Sequence, residues 1–164
     1  LYSSAASDVY KRQTSCCALA ATSPRWVRRA THTGYLLRAL ALQPNDPLLC
    51  LLCSVACFSR ATNRQVDNRN HTIVQGLAIL TQYADLRPNS AEVEYNFGRA
   101  YHQLGLLHLA VPRYQRVLEM AEQPNKAAGG FGMAREAAFN LALLYASAGS
   151  PHLAQALYRR WLVV

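Results

Sequence analysis

Acidic side chains are scarce in this chain: nine Asp and Glu stand against 17 Lys and Arg, a formal balance of +8. Lysine is nearly missing too, represented by Lys11 and Lys126, so the basic charge is carried by arginine. A GC-rich coding sequence produces that arginine and alanine bias without functional meaning, and a polyanion-binding face would produce it as well; composition alone leaves both open. Although 51% of the chain is apolar, no run approaches the roughly 20 residues a membrane helix requires. No membrane partner is expected. Cysteine stops at Cys57, and five is an odd number. A disulfide framework is therefore not expected, and a reducing compartment fits better.

The opening LYSSAASDVYKRQ has neither an apolar period nor a helix cap. Asp8-Val9-Tyr10-Lys11-Arg12-Gln13 is what GAT GTG TAT AAG AGA CAG encodes, a string that resembles the transposase end sequence used in short-read library preparation. We expect residues 1–13 to be adaptor-derived and exclude them; a disordered native N-terminus is the alternative. Setting aside Asp8, Lys11 and Arg12 removes one acid and two bases and leaves the balance at +7. Residues 14–26 stay unassigned and irregular, and residues 27–164 are expected to form one helical domain, a fragment of a longer protein. With the native N-terminus expected to be missing, no secretory signal can be assigned.

Signatures of catalysis are also lacking. There is no two-histidine metalloprotease spacing and no nucleophile elbow. Gly129-Gly130-Phe131-Gly132 lacks the preceding strand and the lysine of a phosphate loop and reads as a flexible insertion. His102 and His108 flank a turn, His152 starts a helix, and none forms a set with cysteine, serine or carboxylates. No enzyme, no cofactor, no metal and no small-molecule substrate are expected.

What is present is helical periodicity. Val27 to Leu42, Leu48 to Ser59, His71 to Leu86, Ala91 to Leu104, Leu107 to Ala121, Ala134 to Ala148 and Pro151 to Leu162 place apolar residues three and four apart. Gln-Pro-Asn-Asp-Pro at 43–47, Arg-Pro-Asn at 87–89, Gly105 and Ala-Gly-Ser-Pro at 148–151 separate them with helix-stop and turn chemistry. The stretch AEVEYNFGRAYHQLGLLHLAVPRYQRVLE resembles a tetratricopeptide repeat, with Phe97 seventh, Gly98 eighth, Tyr101 eleventh, Ala110 twentieth and Tyr114 twenty-fourth. Small residues let two antiparallel helices approach, and large ones fill the space beside them. Glu94 stands where an aromatic is usual, leaving a socket that is looser or covered by a neighbour.

The register recurs. Downstream, Leu141, Ala142, Tyr145, Ala154 and Tyr158 take the same roles, with inserted residues around Gln123 to Met133. Upstream, Gly76 lies one 34-residue repeat before Ala110, and Tyr83 matches Val117. An insertion is expected across Arg60 to Asn70, between the two helices of one repeat. The expected fold is all-α: tetratricopeptide-repeat hairpins stacked as an α-solenoid, about three repeats plus a half.

This register decides how CxxCxxxC is read. Cys50, Cys53 and Cys57 could suggest a metal or iron–sulfur site, with His71 as the one nearby further ligand. Counted from Pro47, however, they stand fourth, seventh and eleventh, which are packing positions, and buried free cysteine packs as a small hydrophobe. The residues expected to line a concave groove come from the first helix of each repeat. They are Leu51, Val55 and Phe58, then Tyr95, Arg99, His102 and Gln103, then Phe139 and Leu143. The groove is mainly apolar and lacks the chaperone-binding carboxylate clamp, which would want a lysine at Leu51, an asparagine at Val55 and a lysine at Glu136; Asn96 alone fits. A hydrophobic partner helix is the expected ligand. Arg60, Arg64 and Arg69 read as a solvated loop, or as a phosphate-contacting one.

The succession YLLRALALQPNDPLL, HTIVQGLAILTQYADLR, YNFGRAYHQLGLLHLAVPRYQRVLE and AFNLALLYASAGSPHLAQAL resembles the C-terminal end of the tetratricopeptide-repeat subunit of transcription factor IIIC. Ile73-Val74-Gln75-Gly76, joined to Tyr95-Asn96-Phe97-Gly98-Arg99 and Gln103-Leu104-Gly105-Leu106, carries most of it. The resemblance implies a nuclear scaffold in RNA polymerase III initiation. Its implied partners are other TFIIIC subunits and components of TFIIIB, with promoter DNA reached indirectly through the complex. An unrelated cytoplasmic tetratricopeptide adaptor is the alternative.

Overall fold

The computed structural model describes residues 25–63, 66–122 and 131–162, and their regular structure is entirely helical. We number the helices α1 (Arg25–Leu42), α2 (Pro47–Ala61), α3 (Arg69–Leu86), α4 (Ala91–Leu104), α5 (Leu107–Glu122), α6 (Phe131–Ser147) and α7 (Pro151–Leu157). A π-helical turn, Tyr158–Leu162, continues α7. The pairs α2 with α3, α4 with α5, and α6 with α7 pack as hairpins, and α1 packs on α2 as a second helix would. The first helices α2, α4 and α6 touch in sequence. The fold is an all-α solenoid of tetratricopeptide-like repeats.

Local chemistry sets the boundaries. Asp46 caps α2: its Oδ1 accepts from the Leu48 amide at 2.8 Å and the Leu49 amide at 3.5 Å, and Pro47 fills a first-turn position that needs no donor. Asn68 caps α3 by accepting from the His71 amide at 3.4 Å. That cap shortens the expected insertion, because Arg60 and Ala61 complete α2 while Arg69 and Asn70 begin α3. In the other two hairpins, Gly105 at φ 80° and Gly149 at φ 78° end the first helix. Each lets the next residue's amide reach back, Leu106 to the Tyr101 carbonyl and Ser150 to the Tyr145 carbonyl, both at 2.9 Å. Phe131 to Met133, expected in the glycine-rich insertion, instead form the first turn of α6. Residues 123–130 lie outside the described residues, as do the expected adaptor segment and most of 14–26.

Two apolar cores result, each built around one tight joint. In the first, Cys50, Cys53, Cys57, Phe58, Leu80 and Tyr83 are buried, and α4 contributes Val93, Phe97 and Ala100. A Cβ added to Gly76 would lie 2.9 Å from Phe58 Cε1 and 3.0 Å from Cys57 Cβ, so the absence of a side chain lets α3 meet α2. In the second, Ala110, Tyr114 and Val117 of α5 pack with Ala134, Ala137, Ala138, Leu141 and Leu144 of α6. There a Cβ on Gly98 would lie 2.7 Å from Tyr114 Cε1. Phe97, Gly98, Ala110, Tyr114, Leu141 and Ala154 are all buried, and Tyr101, Tyr145 and Tyr158 half-buried. Each fully buried large side chain contributes about 1.5–3 kcal/mol relative to exposure.

Candidate partner-binding face

The outer faces of α2, α4 and α6 form the candidate surface. Along α2, Leu48, Leu52 and Val55 are exposed and Leu51 is half-buried. On α4, Arg99 and Gln103 are exposed, while Tyr95 and His102 are half-buried. On α6, Phe139 and Leu143 are exposed at 47% and 43%, values far above those of the core leucines. One equivalent row, Val55, Arg99 and Leu143, is thus apolar on α2 and α6 and charged on α4, while the α6 counterparts of Leu48 and Leu52 are the polar Glu136 and Asn140.

Phe58, expected in this groove, is not there. Its ring is 2% exposed and fills the space beside Gly76, so the joint between α2 and α3 takes it. Leu48 and Leu52, which were not among the expected groove residues, are exposed on the same side of α2 as Val55. Their signal was available in the sequence: 48, 52 and 55 are one helical stripe, opposite the cysteine stripe 50, 53 and 57.

Tyr95 proves to be as much a tie as a contact. Its hydroxyl accepts a hydrogen bond from Asn140 Nδ2 at 3.3 Å, and its ring lies 6.0 Å from that of Tyr114. This bridge from α4 to α6 floors an open depression of about 270 Å³, lined by Tyr95, Arg135, Glu136, Phe139, Asn140 and Leu162. Tyr114 is fully buried beside this bridge; no group meets its hydroxyl in good hydrogen-bond geometry, and the Asn140 side chain stands close enough to act on it electrostatically. Burial pushes that phenol up to about 12, the Tyr95 phenol adding to the shift and the Arg99 guanidinium and Asn140 side chain opposing it.

The unusual Glu94 is covered by a neighbour. Arg113 Nη1 donates to Glu94 Oε2 at 2.9 Å, and the same guanidinium stands 5.0 Å from the centre of the Phe97 ring. An arginine from α5 closes the socket an aromatic would fill, gaining a cation–π contact as it does so.

The cysteine thiols are completely buried in the first core. Burial pushes Cys53 up to about 11, with Cys57 and Cys50 adding to the shift. Burial also raises Cys50 and Cys57. Thiols held this way stay protonated at neutral pH and pack as small apolar groups. Of the arginines expected on the polar loop, Arg60 ends α2, Arg69 begins α3 in solvent, and Arg64 lies outside the described residues.

No family model matches the chain. Curated relatives do. It is 35% identical over 144 residues to transcription factor tau subunit sfc4 of Schizosaccharomyces pombe, covering 79% of this chain and 14% of that protein. It is 36% identical over 129 residues to general transcription factor 3C polypeptide 3 of Homo sapiens, covering 76% of this chain and 14% of that protein. To the transcription factor tau 131 kDa subunit of Saccharomyces cerevisiae it is 31% identical over 136 residues, 79% of this chain and 13% of that protein. The chain belongs to this family of transcription factor IIIC subunits. As a TFIIIC-family chain it spans about one seventh of the length of the relatives it matches.

Proposed function

We propose that this chain is the C-terminal repeat region of a TFIIIC subunit and works as a non-enzymatic scaffold in RNA polymerase III transcription initiation, in the nucleus. Its partners on this reading are other TFIIIC subunits, with TFIIIB components and promoter DNA reached through the assembled factor. The observation that carries the reading is the pair of exposed apolar stripes on the first helices, Leu48, Leu52 and Val55 on α2 and Phe139 and Leu143 on α6. Solvated leucine, valine and phenylalanine gain free energy when a partner covers them, at about 25 cal/mol per Å² of apolar surface. The first helices hold this surface rigid, because the second helices anchor them through the two cores. A rigid apolar face flanked by polar groups suits helix-in-groove recognition.

Val55 and Leu143 are 44% and 43% exposed, so replacing both with aspartate tests the surface without opening a core. Expressed in the full-length subunit, Val55→Asp with Leu143→Asp should keep the helical circular dichroism and lose recovery of at least one partner subunit on affinity purification. Recovery of the same set of subunits from wild type and variant would contradict the reading.

A further inference from the structure

Stacking equivalent repeats sets equivalent positions in a row across the groove. Val55, Arg99 and Leu143 each stand ninth in their repeats, counted from Pro47, Ala91 and Arg135, and all three are exposed. The row reads apolar, cationic, apolar. The two carboxylates of α4 are already engaged, Glu92 by Arg87 at 2.6 Å and Glu94 by Arg113 at 2.9 Å, and among the described residues no carboxylate pairs with Arg99. A charge left in solvent at the midpoint of an apolar row rejects a purely apolar partner, because covering it without a counter-charge would cost more than the flanking contacts return.

The geometry points to one occupant: an amphipathic helix laid across α2, α4 and α6, whose contact face carries an apolar residue, then a carboxylate, then a second apolar residue. This rests on the groove reading above and adds the chemistry of the partner. Packed helices stand about 8–10 Å apart, so the row from α2 to α6 spans roughly 16–20 Å. At a rise of 1.5 Å per residue, that is about 11–13 residues of partner helix. Residues seven apart return to the same side of a helix and stand about 10.5 Å apart along it, so a carboxylate about seven residues from each apolar anchor gives a span of about 21 Å, just above the upper end of the row. The anchor at the α6 end packs on Leu143, one helical turn beyond the depression that Phe139 lines and that Tyr95 and Asn140 bridge.

Two synthetic helical peptides of about 15 residues test the assignment. Both carry leucine at the two anchor positions; one has glutamate at the central contact position and the other lysine. Fluorescence anisotropy against the full-length subunit should show the glutamate peptide binding about tenfold more tightly, a difference that shrinks as salt rises. Arg99→Glu should reverse the preference. Arg38→Glu, an equal change in net charge at an exposed site on α1, should preserve it and so separates a local contact from the general basicity of the chain. Equal binding of the two peptides, or an equal effect of the two charge reversals, would overturn the central carboxylate and leave the groove standing. Binding of neither peptide would overturn both.

Discussion

The first two hairpins close the same kind of joint from opposite sides. Between α2 and α3 the ring belongs to the first helix and the glycine to the second, Phe58 against Gly76; between α4 and α5 the glycine is Gly98 on the first helix and the ring is Tyr114 on the second. The two joints also stand at different places in the register, Phe58 and Gly76 at the positions of His102 and Ala110, Gly98 and Tyr114 at those of Ser54 and Leu80, so each hairpin closes on its own small residue. The polar ties differ as well. The α4–α6 region is stitched by side chains: Arg113 to Glu94 at 2.9 Å, Asn140 to Tyr95 at 3.3 Å, and Gln115 Nε2 donating to Tyr145 Oη at 3.0 Å. The α1–α3 region relies on cysteines and bulky apolar groups, with Gln82 Nε2 donating to the Pro44 carbonyl at 2.8 Å as a tie across its end. Helix α4 serves both, sending Val93 and Phe97 into one core and Ala91 and Tyr95 toward the other.

The largest effects should come from filling the joints. Gly98→Ala brings a methyl to 2.7 Å of a fully buried ring, and Gly76→Ala brings one to 2.9 Å of Phe58. Each should lose about 1–3 kcal/mol in urea unfolding, the overpacking outweighing the better helix propensity of alanine. Gly98→Ala should cost more, and Tyr114→Leu in the same chain should recover part of its loss and none of the loss from Gly76→Ala. Equal recovery in both backgrounds would show that the joints are not independent.

Alkaline pH should separate the two regions next. Cys53 is raised from 9.0 to about 11 and sits in the first core; Tyr114 is raised from 10.0 to about 12 and sits in the second. Both groups are neutral when protonated, and the fold favours that form. Their stabilisation is intact below the ordinary value and is lost as pH rises through the window up to the folded value. The first core should therefore loosen from about pH 9 and the second from about pH 10. Thiol labelling set against tyrosinate absorbance checks the order, and simultaneous onset would remove this distinction between the regions.

The smallest effect belongs to the polar stitching. Arg113 and Glu94 keep 40% and 24% side-chain exposure, so Glu94→Gln should cost below about 1 kcal/mol and its effect should fade at high salt. A salt-independent loss above that would mean that the guanidinium matters chiefly through its packing on Phe97.

Much of this was legible in the residues. The seven helices and their turns follow from spacing, proline and glycine, and the cysteines were placed inside by register alone. Three things were not. Phe58 sits at a position that lines the groove in a regular repeat, and only the contact with Gly76 reveals that its ring turns inward. The cover over Glu94 comes from Arg113, nineteen residues along, where no local pattern points. The extent of α3 depends on the Asn68 cap, which a polar, asparagine-rich stretch hides among equivalent candidates.

The claim that the first-helix face is the docking surface is tested most directly by a photo-crosslinking amino acid at Val55, at Leu143, and at Val74, an exposed site on the second helix α3. In the assembled factor, Val55 and Leu143 should crosslink to the same partner segment and Val74 should not. A partner captured from Val74, with none from Val55 or Leu143, would contradict the account.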